Sequence, residues 1–434
     1  MAKIKPFRAV TYNQDEIKDL AKVVCPPYDV ISPSAQQHFH EISPYNLIHM
    51  LLGKDIPGED KYKRSAGYFK DWLKNKILIQ DERPAIYFYN QQYNLKGERR
   101  SRFGFIALLS LDSSIFEHEH TRLEPKEDRL KLLKAAKANL SPIFVIFPDS
   151  NRIIQRTFNQ EIQNKKPFID IVDIDKVAHQ VWRIDSPEVL SRIQASMSKE
   201  NIFIADGHHR YEVSCAYRDG MKKKLGTLSG EESFNYLLAY FTNLDPRGLT
   251  IFPVHRLLNL GSPLELNNLK VKLSVYFDVE EVKDRVKFFF LMEKGGQTEH
   301  VLGMYKDNRY WLLRLKNVKI LDKIIAEKPR EYRSLDVCIL NYLILKNILG
   351  IELGDKERLT FSPHADELID SVDNNTSCIA FFLNTVKAEK IISLAQDNER
   401  MPAKSTYFYP KVLSGLVINK FNEDKKLDPP TQQK

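Results

Sequence analysis

Apolar positions along this chain recur at two periods, and each period predicts its own kind of element. From about Tyr62 to Ile77 the residues Tyr62, Ala66, Phe69, Leu73 and Ile77 return every three or four positions, the stripe of an amphipathic helix. Two runs rich in aromatic and aliphatic residues, Ala85 to Tyr93 and Arg102 to Leu111, flank Asn94-Leu95-Lys96-Gly97 and predict a hairpin. Gly97-Glu98-Arg99-Arg100 imitates a phosphate motif, but no helix follows it, so it reads as the hairpin turn. A helix is expected over Asp128–Ala138, capped by Asp128, and a buried strand over Pro142–Phe147. Strands near Phe168–Ile174 and Gln180–Ile184 follow, then a helix over Pro187–Met197 and a short buried strand over Ile202–Ala205. A further helix runs from about His208 to Tyr217 and should stop at Asp219-Gly220, since glycine commonly follows a helix end.

The second half mixes strands near Tyr236–Thr242, Val301–Tyr305 and Tyr310–Leu315 with helices near Leu264–Val275 and Leu335–Leu349. The opening segment through Pro26-Pro27-Tyr28-Asp29-Val30-Ile31-Ser32 has turn formers and little periodicity, and reads as an ordered loop. This alternation predicts an α/β chain of the α+β kind. Its 434 residues exceed what one core usually serves, so two domains are expected. The polar, glycine-bearing stretch Lys222 to Ser233 marks the boundary, giving residues 1–225 and 226–422, with a charged, disordered tail at 423–434.

Composition narrows the class. Hydrophobic residues make up 43% and charged residues 28%, a globular balance. The net charge of +8 is spread thinly, and Lys222-Lys223-Lys224 reads as a solvated loop, so nucleic acid is not expected as a partner. Four dispersed cysteines suggest neither a disulfide framework nor a zinc site. The start lacks a signal peptide's apolar core, and the most apolar stretch, Val337 to Ile351, is too short and too interrupted to span a bilayer. A cytoplasmic protein without membrane contact is expected.

Candidate chemistry is densest at Ile202-Phe203-Ile204-Ala205-Asp206-Gly207-His208-His209-Arg210. A short apolar strand runs through Asp-Gly directly into a helix, whose first amides lack internal partners and can point at an anion. His208, His209 and Arg210 add donors, and Arg210 can grip phosphate with two nitrogens. Cations at a helix N-terminus oppose its dipole by roughly 0.3–1 kcal/mol each, a conflict an anion would remove. The plainer reading has Asp206 capping the helix above surface histidines. His208-His209 with Glu212 lacks the spacing of a zinc protease.

A second constellation is Glu117-His118-Glu119-His120-Thr121, followed by Lys126, Asp128 and Arg129. Alternate positions of an extended segment share a face, so His118 and His120 could converge on a metal or substrate. A third is Met401 to Lys411, where Lys404, Ser405, Thr406 and Lys411 offer phosphate donors beside aromatic rings, without the glycine spacing of a P-loop. Read from the residues alone, an edge strand with solvated lysines is slightly favoured over a site there.

These residues resemble a known family, the domain-of-unknown-function family 1015. The resemblance covers nearly the whole chain. It rests on Pro26 to Ser32, Asn46-Leu47-Ile48, His118-Glu119 with Thr121, Asp128-Arg129-Leu130, Asn139 to Phe144, Ala205 to Tyr211, and Met401 to Lys411. His120 departs from it, standing where the pattern carries arginine, which weakens a phosphate role there. The Asp-Gly-His-His-Arg turn also resembles the nucleotide-binding turn of the ParB/sulfiredoxin superfamily, whose members include ParB CTPases, sulfiredoxins and a free serine kinase.

The resemblance implies a ParB/sulfiredoxin-like nucleotide-binding core with a large insertion, plus a second α+β domain. It implies a nucleotide-dependent phosphotransferase acting on a small hydroxylated metabolite, such as the amino acid serine, with ATP or ADP and Mg²⁺. Asp206, His209 and Glu119 would be catalytic. Gly207, His208, Arg210, Lys126, Arg129, Lys404, Ser405, Thr406 and Lys411 would hold phosphate. A ParB-like DNA-associated protein and a metal-dependent phosphoesterase are the alternatives, and whether a transition metal or a homodimer is involved stays open. Sulfiredoxin chemistry is not expected, because the turn carries no cysteine nucleophile.

Overall fold

The hairpin forms. Ile86–Leu95 pairs antiparallel with Glu98–Ser110 around Lys96-Gly97, both in the left-handed region with φ of 49° and 83°. In the computed structural model, which describes residues 1–121, 123–226, 229–262, 265–352 and 358–422, this hairpin sits inside a mixed sheet. Its strands run in the order Ile115–Phe116, Ile202–Asp206, Ile143–Phe147, Tyr236–Asn243, Glu98–Ser110, Ile86–Leu95, Ala178–Ile184 and Ile169–Val172, and Ile4–Lys5 also pairs with Glu98–Ser110. Side chains alternate across a strand, so Phe105, Ala107 and Leu109 enter one core with Ile143, Val145, Ile202 and Ile204. The intervening Ile106 and Leu108 are buried as well, which explains why these strands read as apolar runs.

The helix Pro187–Met197 has the predicted bounds. Pro187 stands at its first turn, where a missing N–H costs nothing, and Val189, Leu190, Ile193 and Met197 join the same core. Complete burial of Ile193 contributes about 1.5–3 kcal/mol.

The chain divides into two units. The first comprises Met1–Glu117, Thr121–Thr250 and the chain from Pro410; the second comprises His118–His120 and Ile251–Tyr409. The polar stretch expected to separate the domains has the first unit on both sides of it. The reason is the strand Tyr236–Asn243, which lies between Glu98–Ser110 and Ile143–Phe147. The tail at 423–434 lies outside the described residues.

The second unit carries its own antiparallel sheet, in the order Phe277–Val282, Arg309–Leu315, Val301–Lys306, Cys378–Phe382, His255–Asn259, Leu359–Ser362. Helices Arg285–Gly295 and Ala365–Asn374 help to cover it, with Phe288, Met292, Leu368 and Ile369 packed against Val301, Leu312, Ala380 and Phe382. The first of these helices is capped by Asp284, whose carboxylate accepts from the Lys287 amide at 2.6 Å. Periodicity did not predict it, because Phe288 to Met292 is an unbroken apolar run without a stripe. The expected helix over Leu335–Leu349 is helical from Asp336 to Ile348, with wide π-type turns over Ile339–Ile348.

Four further expectations are corrected. The opening loop contains the short strands Ile4–Lys5 and Val10–Tyr12. The helix begun at His208 passes through Gly220 and ends at Leu225, before Gly226 with φ of 80°. Glycine stops a helix when its φ turns positive, and Gly220 remains helical. Lys222–Lys224 therefore form a last helical turn, where cations meet the negative end of the dipole. Asp128 lies inside the helix Leu123–Ala136 and does not cap it. All four cysteines are free thiols, and no described helix is long and apolar enough to cross a membrane.

Candidate functional site

In the first unit the strand Ile202–Asp206 ends at Gly207, and the helix His208–Leu225 begins at the next residue. Gly207 has φ of 97° and ψ of 27°, a conformation that a side chain makes costly. A Cβ there would also lie 2.8 Å from the Ile143 methyl and 3.0 Å from Arg210 Nη2. Glycine is thus required both for the turn and for the guanidinium that closes over it.

The N-cap position of this helix is Gly207, and the side chain just before it is that of Asp206. Its carboxylate is gripped from two directions. Arg210 Nη2 donates to Oδ2 at 2.7 Å, and Lys411 Nζ donates to Oδ1 at 2.6 Å. All three side chains are nearly buried, at 14%, 10% and 9% exposure, so the charges attract strongly in poor solvent. Lys411 is therefore no solvated lysine of an edge strand. The strand Thr406–Tyr409 ends before it, and Gln91 Nε2 donates to its carbonyl at 2.8 Å while Arg102 donates to the Pro410 carbonyl.

Arg210 is fixed from its other side. Nη1 donates to Ser141 Oγ at 3.0 Å and to the Pro142 carbonyl, while Nε is buried without a hydrogen-bond partner. Ser141 Oγ is also 2.8 Å from Ser414 Oγ. Next to Arg210 lies a cavity of about 50 Å³ lined by Tyr28, Arg129, Leu132, Leu140 and Ser141. Arg129 stacks 4.3 Å above the Tyr28 ring, donates to the Leu51 carbonyl at 2.6 Å, and pairs with Asp128. Asp128 in turn accepts from the Tyr62 hydroxyl at 2.8 Å, and its carboxyl is held below the usual range: Arg129 and Lys61 outweigh the opposing effect of burial. Burial pushes the Tyr28 hydroxyl well up, and it lies within the field of Arg129, Arg210 and Asp206.

The expected phosphate residues in this unit thus have partners. Lys126 Nζ lies 2.9 Å from Glu212, which also accepts from Thr121 at 2.7 Å. His208 is buried and His209 is half-buried. Sequence reasoning assigned no role to Tyr28, Ser141, Ser414, Gln91 and Arg102. Only their membership in turn-rich or unusually polar strand segments could have marked them.

Glu119, Lys404, Ser405 and Thr406 belong to the second unit. There the Glu119 carboxylate accepts the backbone amides of Lys404 at 2.9 Å and Ser405 at 3.3 Å. This gives it a structural task. His118 is buried with Nε2 3.3 Å from Thr406 Oγ1, and His120 is exposed. Arg256, which sequence reasoning missed, is fully buried and donates to the Lys404 carbonyl at 2.9 Å. Burial pushes its pKa down to about 10, while the Glu119 charge acts in the opposite direction. Among the described residues no group of three or more His, Cys, Asp or Glu side chains could hold a metal ion.

No curated protein matches the chain. Among solved structures it is similar to a free serine kinase in complex with AMP, 13% identical over 73% of this chain and 91% of that one, with a TM-score of 0.35. It is also similar to SbnI with a C-terminal truncation from Staphylococcus aureus, 11% identical over 71% and 85%, with a TM-score of 0.35. A conserved hypothetical protein from Pyrococcus furiosus is 13% identical over 71% and 92%, with a TM-score of 0.32. The family model described as protein of unknown function (DUF1015) matches residues 4–338, the span that carries the Asp206 turn and its helix, and the chain belongs to that family.

Proposed function

We propose that the Asp206–Arg210 turn of the first unit, with Lys411, holds the phosphates of ATP or ADP, and that the protein passes a phosphoryl group to a small hydroxylated metabolite. The observation that carries this reading is the double grip on Asp206 by Arg210 and Lys411 at the start of a helix. Phosphoryl transfer asks chiefly for positioning and charge neutralisation, and this cluster offers both. An arriving phosphate competes for the two cations and for the amides of the first helical turn.

Asp206, once released, is the base. The acceptor hydroxyl oxygen bonds to phosphorus, the bond from phosphorus to the leaving nucleotide oxygen breaks, and the hydroxyl proton passes to the carboxylate. Mg²⁺ accompanying the nucleotide needs only one or two protein carboxylates, and Asp206 fits that requirement. His209 stands in the first helical turn beside it. The nucleotide and the ParB/sulfiredoxin-like assignment come from the resemblance of the turn, and an amino acid such as serine is the acceptor class it implies. Glu119 has no role in this scheme.

Calorimetric titration with ATP and ADP in the presence of Mg²⁺ tests it, followed by ³¹P NMR of reactions with serine and other small alcohols. Arg210→Lys removes a planar fork, and losing one charge-assisted bond of about 1.5–3 kcal/mol should weaken nucleotide binding by roughly ten- to a hundredfold. Gly207→Ala should do the same by displacing the guanidinium. Binding that is unchanged in both variants would overturn the site, and tight binding without transfer to any alcohol would overturn the reaction.

A further inference from the structure

The second unit contains a cavity of about 280 Å³ that none of the preceding chemistry uses. Three loops form it: residues 296–300 after the helix Arg285–Gly295, residues 334–336 at the start of the long helical stretch, and residues 384–390, which lead into the helix Ala388–Gln396. Its size is near the lower end of small-ligand sites, which begin at roughly 300 Å³. Its walls are polar on both sides.

On one side is Lys390, half-buried, with Nζ bound to Ser334 Oγ at 2.8 Å and to the Ser334 carbonyl at 3.3 Å. No carboxylate among the described residues lies within ion-pair distance of it. Burial lowers its pKa, with Lys387 adding, and outweighs the opposing field of Asp336 and Glu331. Lys387 precedes the helix and also lines the cavity.

On the other side is a fixed acceptor wall. Asp336 receives His300 Nδ1 on Oδ1 at 3.2 Å and Asn384 Nδ2 on Oδ2 at 3.3 Å, and Asn384 also donates to the Val301 carbonyl at 2.7 Å. Gly296 makes this packing possible, since a Cβ there would stand 2.4 Å from Asn384 Nδ2. A cation without an anion partner facing a rigid carboxylate–imidazole pair suits a ligand with a negative end and a hydrogen-bond donor end.

We propose that this cavity binds a small carboxylate carrying a hydroxyl or amino group, with Lys390 taking the carboxylate and the Asp336–His300 pair taking the donor. The site is independent of the Asp206 turn. It can be read on the wild-type chain by brief acetylation with acetic anhydride near neutral pH, following Lys390 and Lys387 by peptide mass spectrometry. Glycerate and lactate at millimolar concentration should slow acetylation of Lys390 several-fold, acetate should protect less, and matched chloride should not protect. Asp336→Asn should erase the preference of glycerate over acetate. Protection by inorganic phosphate alone, equal protection by acetate and glycerate, or no protection by any probe would each overturn the assignment.

Discussion

Lys411 Nζ lies 2.6 Å from Asp206 Oδ1, a contact that joins residues 205 positions apart. It brings the last segment of the first unit onto the turn where its densest polar motif stands. Asp206 is held on its second oxygen by Arg210, so the cluster has two cations on one carboxylate, each nearly buried. Under the proposed function these two cations are what an arriving phosphate would contest with the carboxylate.

Lys411→Met is expected to lower stability by about 1.5–3 kcal/mol, since Asp206 loses one charge-assisted bond on Oδ1 while Arg210 keeps the other oxygen. Asp206→Asn should cost less once Lys411 is already methionine. Urea unfolding of the two single variants and the double variant gives the coupling directly. Additive costs would mean that the two residues do not interact in solution.

Glu119→Gln is expected to leave the first unit's proposed nucleotide site intact while loosening the turn at Lys404 and Ser405. The amides of those residues lose a charged acceptor, a change of about 1.5–3 kcal/mol, and should exchange with deuterium at least about tenfold faster. Exchange at the wild-type rate would remove the structural role. Loss of nucleotide binding in this variant would return Glu119 to the proposed site.

His255 predicts a pH dependence. It is almost fully buried in the second unit, and its Nδ1 accepts the Leu383 amide at 3.1 Å, so the ring is neutral. Burial, with Arg256 adding, pushes its pKa down to about 3 from an ordinary 6.5. Between those values the unfolded chain binds a proton that the folded chain refuses. Stability from this group is therefore complete above pH 6.5 and falls as the pH drops toward 3, by up to about 1.4 kcal/mol per unit. Urea midpoints measured across this range should show a shallower acid decline in His255→Gln. An equally steep decline would assign the window to another group.

Local physics made much of the framework legible. The helix Pro187–Met197 carries a proline at its first turn and one apolar face, and the hairpin at Lys96-Gly97 has a turn that only positive φ satisfies, so both follow from neighbours in sequence. The helix Arg285–Gly295 was illegible because its apolar residues form a run, and burial by a distant sheet selects which of them face inward. Gly220 and Gly226 are chemically identical. Backbone conformation separates them, and the continued packing of the helix against Leu123–Ala136 sets that conformation.

By itself the sequence determined that a strand must turn through Gly207 into a helix, and that histidines and an arginine would crowd its start, because those are consequences of adjacent residues. The tertiary structure alone decided who stands beside them. Lys411, Ser141 and Tyr28 reach the turn, while Glu119 is committed to the amides of Lys404 and Ser405. Contacts across hundreds of residues leave no periodic trace in a chain, since the closing of such loops is settled by the packing of whole sheets and not by the spacing of any motif.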